Sequence, residues 1–189
     1  MFIEHMLTVT SNNPAAAGAG LVAMVCFVAC PLCRTRATML MAYIGNNLGF
    51  VAHYALLGQW TAVAMNAFMA VQSVVAIYLV RRPWLRWLYY ALMPILAVGS
   101  YMTWQGLPSL LAMAATTLST IGRMQGNETA LRAWLLASTP FWMAHDSIVG
   151  SSPGLIADIL SMATGVTMLL IPSIRAAMTS AYRPIRWAG

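Results

Sequence analysis

A chain of 189 residues that is 60% hydrophobic and only 7% charged has too few charges to cover a water-facing surface, since soluble domains carry roughly a quarter charged residues. The composition excludes an ordinary soluble domain and makes lipid the solvent of most of the surface. The net charge of +6 rests on ten arginines and no lysine. They are spread along the chain rather than gathered in one patch, so they fit anionic lipid headgroups and call for no nucleic-acid partner.

A spanning helix uses about 20 residues. Long continuous apolar stretches favour helices over the alternating strands of a barrel. The chain opens with a short tail, 1–13, that carries Glu4 and His5 and no basic residue; it reads as an external tail before an uncleaved first helix, not as a signal peptide. At the cytoplasmic end of the first span, 15–31, Cys26, Cys30 and, just beyond it, Cys33 are spaced to share one face. Three cysteines with 15 methionines in the chain raise the alternative of a soft-metal, copper-type carrier. Packing is the plainer reading, because the second half of the chain has no matching cysteines.

The second span, 37–57, carries Asn46, Asn47 and His53, and the third, 61–80, carries Asn66. The fourth, 84–104, has Trp84 and Trp87 at one end and Tyr101 and Trp104 at the other, which look like interfacial belts, with Pro94 kinking it. The fifth is 107–121. The sixth, 129–149, holds Ser138, Thr139, His145 and Asp146, and the seventh, 154–172, holds Asp158. A tail follows at 173–189. The breaks are short Gly, Pro, Ser or Arg signals.

Arginines mark every second break: Arg34 and Arg36, then Arg81, Arg82 and Arg86, then Arg123 and Arg132, then Arg175, Arg183 and Arg186 in the tail. Basic residues collect in cytoplasmic loops, so the alternation predicts seven spans with the N-terminus outside and the C-terminus in the cytoplasm.

Laid over itself at an offset of 92, the chain repeats in kind. His53 falls on His145, Gly58 on Gly150, Asn46 and Asn47 on Ser138 and Thr139, and Asn66 on Asp158. Four spans separate the copies, so both have the same orientation. This predicts a three-one-three parallel repeat in a single membrane domain: a three-helix bundle over 13–80, a connector over 84–104, a second bundle over 107–172 and a cytoplasmic tail over 173–189.

Asn46, Gly49 and His53, and likewise Ser138, Phe141 and His145, are spaced to share a helix face, and both stripes are expected to face protein. His53 and Asn66 are equidistant from the turn between their helices, as are His145 and Asp158. Each pair therefore lies on the order of 10 Å below the external surface. Burying an aspartate in hydrocarbon costs about 2.5–3.5 kcal/mol on the milder scale, which makes Asp158 the leading functional residue. The plainer alternative is that His53–Asn66 and His145–Asp158 are hydrogen bonds tying each bundle together.

The three-one-three plan, the external N-terminus and the paired polar residues on the third and seventh helices resemble the SWEET and PQ-loop superfamily. Within it, the stretch NNLGFVAHYALLGQWTAVAMN at 46–66 looks most like the bacterial YgjV-type inner-membrane proteins. The resemblance implies a solute carrier of the inner membrane with a central site between bundles, and places Asn66 and Asp158 where sugar carriers have asparagines. The proline-glutamine pair is absent and the second asparagine is an aspartate, which weighs against a sugar.

No HExxH, GxSxG or phosphate-cradling glycine loop is present, so an enzyme is not expected, nor is a cofactor. The sequence thus predicts a facilitator or proton-coupled carrier for a small polar solute, with substrate-binding residues Asn46, Asn47, His53, Asn66, Ser138, His145 and Asp158. His145, Asp146 and Asp158 are the proton-coupling group. A non-transporting scaffold or assembly protein is the alternative, and either reading is compatible with a homo-oligomer.

Overall fold

The computed structural model describes residues 13–170. The predicted external tail with Glu4 and His5, the end of the seventh stretch at Pro172, and the cytoplasmic tail with Arg175, Arg183 and Arg186 lie outside the described residues. Within them the chain forms seven α-helices and no strand: α1 Pro14–Ala29, α2 Arg36–Leu56, α3 Trp60–Leu79, α4 Arg86–Met102, α5 Leu107–Met124, α6 Glu128–Val149 and α7 Ser152–Leu170. Short 3-10 turns at Cys30–Leu32 and Pro83–Leu85 follow α1 and precede α4. Each predicted stretch is a helix, with described ends moved by at most three residues.

Local chemistry sets these ends. The Asn13 side chain accepts from the Ala16 N–H at 3.1 Å, with Pro14 at the first helical position, where its missing N–H costs nothing. Thr35 and Thr38 form a reciprocal capping box on α2, and Asn127 caps α6 through the Ala130 N–H at 2.7 Å. The α2–α3 and α6–α7 turns are tight because Gly58 and Gly150 adopt φ of +71° and +75°, a region that a Cβ disfavours. The two glycines are 92 residues apart. So are the starts of α2 and α6, at 36 and 128, and of α3 and α7, at 60 and 152.

Packing closes a ring. Going round it, α1 packs on α2, α2 on α3, α3 on α5, α5 on α6, α6 on α7, and α7 returns to α1. Helix α4 lies beside α3 and α5, held by the Tyr89 hydroxyl donating to the Gln72 carbonyl at 2.5 Å and by Thr61 donating to the Thr103 carbonyl. The ring brings α2 and α6, the middle helices of the two triplets, face to face across its centre.

The burial is inverted relative to a water-soluble protein. Asn46, Asn47, Gln72, Arg123, His145 and Asp158 are buried, while Val22, Val25, Leu48, Val71, Trp87, Val98 and Ile159 are exposed. Large apolar side chains on the outside and polar ones within suit lipid on the outer face. Three helical segments are long and apolar enough to cross a membrane on their own, Pro14–Leu32, Trp60–Leu79 and Ser152–Leu170. Helices α2 and α6 carry the inward polar residues, and α4 spans 17 residues around Pro94.

Candidate functional site

A cavity of about 350 Å³ of space between atoms lies at the centre of the ring. Its walls come from five helices plus Phe27 of α1. Helix α2 gives Tyr43, Asn46, Asn47, Phe50 and Tyr54; α3 gives Asn66 and Met69; α5 gives Ser119; α6 gives Ser138, Trp142 and Asp146; α7 gives Asp158. Little of that space is wide enough for a water molecule.

Ten of these thirteen residues form five pairs at the 92-residue offset: Phe27 with Ser119, Asn46 with Ser138, Phe50 with Trp142, Tyr54 with Asp146, and Asn66 with Asp158. Equivalent positions in the two triplets thus face one another across a common space. The Tyr54 hydroxyl donates to its own counterpart, Asp146 Oδ1, at 2.5 Å.

Three of the lining residues carry buried polar atoms without a partner among the described residues. Asn46 Nδ2 donates to Asn47 Oδ1 at 3.3 Å, which leaves Asn46 Oδ1 and Asn47 Nδ2 without hydrogen-bond partners among the described residues, and Asp158 Oδ2 is likewise without one. Buried polar groups are ordinarily paired, and an unpaired one costs about 1–3 kcal/mol. Ser119 donates to Ser138 at 3.0 Å, and Asn66 Nδ2 turns back to the Ala62 carbonyl at 2.9 Å.

Toward the α2–α3 and α6–α7 turns the cavity is capped by aromatic and titratable side chains. Phe50 stacks on Tyr54 at 5.3 Å between centroids and Tyr54 on Trp142 at 6.3 Å, while His145 stands edge-on to Tyr54 and Trp142, at 5.4 Å from each. His145 Nδ1 lies 2.9 Å from Asp146 Oδ1, so Asp146 takes both Tyr54 and His145 on one oxygen. His53 Nδ1 donates to the Ala16 carbonyl at 2.7 Å, and Ser151 Oγ sits 2.8 Å from His53 Nε2. Gly154 admits this arrangement, because a Cβ there would run into the Asp146 carboxylate and the Ser151 hydroxyl.

At the opposite end, arginines bind backbone. Arg36 donates to the carbonyls of Ala76 (2.6 Å), Arg123 (2.9 Å) and Gln125 (3.1 Å). Arg132 donates to the carbonyls of Pro31 and, at 2.7 Å, Cys33, with Glu128 3.9 Å away. Arg123, fully buried, donates from Nε to Ser73 Oγ at 3.0 Å and lies 5.2 Å from the centroid of the Tyr43 ring. Tyr43 also borders a second cavity, lined by Cys30, Arg132 and Thr139 among others, and so divides the two.

Of the sequence-predicted site residues, Asn46, Asn47, Asn66, Ser138 and Asp158 line the cavity, and Asp146 joins them. His53 and His145 are buried in the cap above it, and neither bonds the partner expected in its own bundle: His53 binds Ala16 and Ser151, and His145 binds Asp146. Phe141 leaves the stripe it was placed on. It is 38% exposed and borders an apolar groove with α4 and α5. Cys30 Sγ donates to the Met39 carbonyl and Cys33 Sγ to the Ala29 carbonyl, and no group of three or more metal-binding side chains occurs among the described residues. Tyr43, Phe50, Tyr54, Trp142, Phe27 and Ser119 went unnoticed in the sequence. All but Tyr43, whose counterpart Leu135 is outside the lining, fall opposite another lining residue at the 92-residue offset once the two triplets are seen to face each other.

No curated protein and no solved structure matches the chain. Residues 15–182 match a family model described as a bacterial inner membrane protein. Together with helices apolar enough to span a membrane and the inverted burial, that match identifies the chain as a member of the Imp-YgjV family of bacterial inner membrane proteins.

Proposed function

We propose that the protein is a carrier for a small polar solute, with its site in the central cavity between two three-helix bundles. The observation that carries this reading is that Asn46, Asn47 and Asp158, whose atoms Oδ1, Nδ2 and Oδ2 respectively have no hydrogen-bond partner among the described residues, line one cavity whose walls are largely paired at the 92-residue offset. A polar solute can satisfy such groups.

In this reading all seven helices span the bilayer, α4 connects two parallel copies, and the arginine-rich end is cytoplasmic. The shared starts of α2 and α6 and of α3 and α7, and the paired glycines Gly58 and Gly150, support the repeat. They favour a kinship with SWEET-type carriers, in which two bundles rock about a midplane site. The cavity, bounded by the Tyr54 cap at one end and the arginines at the other, is then the occluded form. The Tyr54–Asp146–His145 cap is the external gate, and its histidine and carboxylate are placed to exchange a proton when it opens. Nothing in the arrangement asks for bond-making chemistry, and the protein is read as a carrier rather than an enzyme.

The test is thermal unfolding of the detergent-purified protein against a library of small polar metabolites, wild type beside Asp158→Asn. A ligand at about 100 times its dissociation constant stabilises the folded state by roughly 2.7 kcal/mol. A solute class that stabilises the wild type and leaves the variant unchanged supports the carrier. Absence of any such solute makes the cavity structural and the scaffold reading prevails.

A further inference from the structure

We infer that the solute is a small organic cation, an amine carrying a hydrogen-bond acceptor near its nitrogen. This rests on the carrier reading above and specifies its substrate class.

The cavity has two carboxylates, Asp146 and Asp158, and no arginine, lysine or histidine in its walls. Asp146 is answered by Tyr54 and His145. Asp158 is 4% exposed, and no ion pair to it is found among the described residues. A carboxylate buried in this way demands a positive partner, either a proton or a cation brought from outside.

The remaining walls favour the second. Aromatic rings suit a desolvated ammonium group, and Tyr43, Phe50 and Trp142 line the cavity beside Tyr54, whose two faces are taken by Phe50 and Trp142. The unpaired groups also have the right sense. Asp158 Oδ2 and Asn46 Oδ1 are acceptors for N–H donors, while Asn47 Nδ2 is a donor and needs an acceptor on the same solute. An anion would meet two carboxylates and one amide donor, which is repulsive on balance. The buried Arg123 lies over the Tyr43 ring, 5.2 Å from its centroid, and is not part of the cavity lining. The little free space in the cavity suits a small amino-alcohol better than a polyamine.

The experiment is isothermal titration of the purified full-length protein with three near-isosteric probes: ethanolammonium, neutral ethylene glycol and anionic glycolate. Binding of ethanolammonium alone is expected. Asp158→Asn should weaken it by about tenfold or more, the scale of a lost charge-assisted contact. Trp142→Leu should weaken it more than Trp142→Phe, and circular dichroism and gel filtration must show each variant folded. Binding of ethylene glycol or glycolate with equal or greater affinity, sensitive to Asp158, overturns the cationic class while leaving the carrier reading intact. Tight binding of ethanolammonium without flux into proteoliposomes keeps the site and overturns the carrier. If no probe binds and the wider metabolite screen yields only neutral or anionic ligands, the cationic class is wrong; if that screen yields none, both readings fall.

Discussion

The two ends of the central cavity are closed by different chemistry. At the α2–α3 and α6–α7 turns, side chains meet side chains: Tyr54 with Asp146, His145 with Asp146, and His53 with Ser151. At the α1–α2 and α5–α6 loops, Arg36 and Arg132 clamp backbone carbonyls of the opposite triplet. Guanidinium groups with several fixed donors hold a loop at several points, so parting that end strands several carbonyls at once. The aromatic cap is joined across the two triplets by two hydrogen bonds, Tyr54–Asp146 and His53–Ser151, and by stacked rings. The cap should therefore be the end that opens more readily, and the arginine end the one that fixes the resting form.

The largest expected effect comes from breaking the stiffer end. Arg36→Ala leaves three carbonyls without their donor and should destabilise the protein by about 3 kcal/mol, at roughly 1 kcal/mol for each bond, read as a lower thermal midpoint in detergent. Gly154→Ala drives a methyl into the Asp146 carboxylate and should cost about 2 kcal/mol by overpacking, disturbing the cap without touching the arginines. A midpoint equal to wild type would show that the cap is looser than described.

Tyr54→Phe removes a single hydrogen bond to a carboxylate, worth about 1.5 kcal/mol. It sharpens the comparison best, because it should raise the alkylation rate of a cysteine placed at Ser138 from the cap side while leaving reactivity from the arginine side unchanged. Equal rises from both sides would mean that the two ends are not separately gated. The smallest effect, about 1 kcal/mol, is expected for Gly150→Ala, whose φ of +75° places a Cβ in the left-handed region.

The helices were legible in the sequence because lipid demands long apolar stretches, and the short breaks carry their own punctuation. The capping box at Thr35 and the turn glycines Gly58 and Gly150 fall where local chemistry alone puts them. The site was half legible. Asn46, Asn47, Asn66, Ser138 and Asp158 stood out as polar residues in apolar helices, and they meet in the cavity. The inward face of α2 differs from the expected one by one position. The histidine drew the stripe through Asn46, Gly49 and His53, whereas the cavity face runs through Tyr43, Asn46, Phe50 and Tyr54. One residue is about 100° of helix, so His53 turns toward α1 and the α6–α7 turn, while Gly49 packs against Ala23, where a Cβ would come within 2.8 Å. Aromatic residues gave no warning, because Phe50 and Trp142 read equally well as lipid-facing. Only the pairing of α2 against α6 across the ring shows that they face inward.

The central claim is that the cavity around Asp158 binds a solute and passes it across the membrane. It is tested most directly by counterflow in proteoliposomes preloaded with the best ligand from the stability screen. The account predicts transient accumulation of labelled ligand with wild-type protein and none with folded Asp158→Asn. Accumulation that survives the substitution, or wild-type vesicles no faster than empty ones despite measured binding, would contradict it.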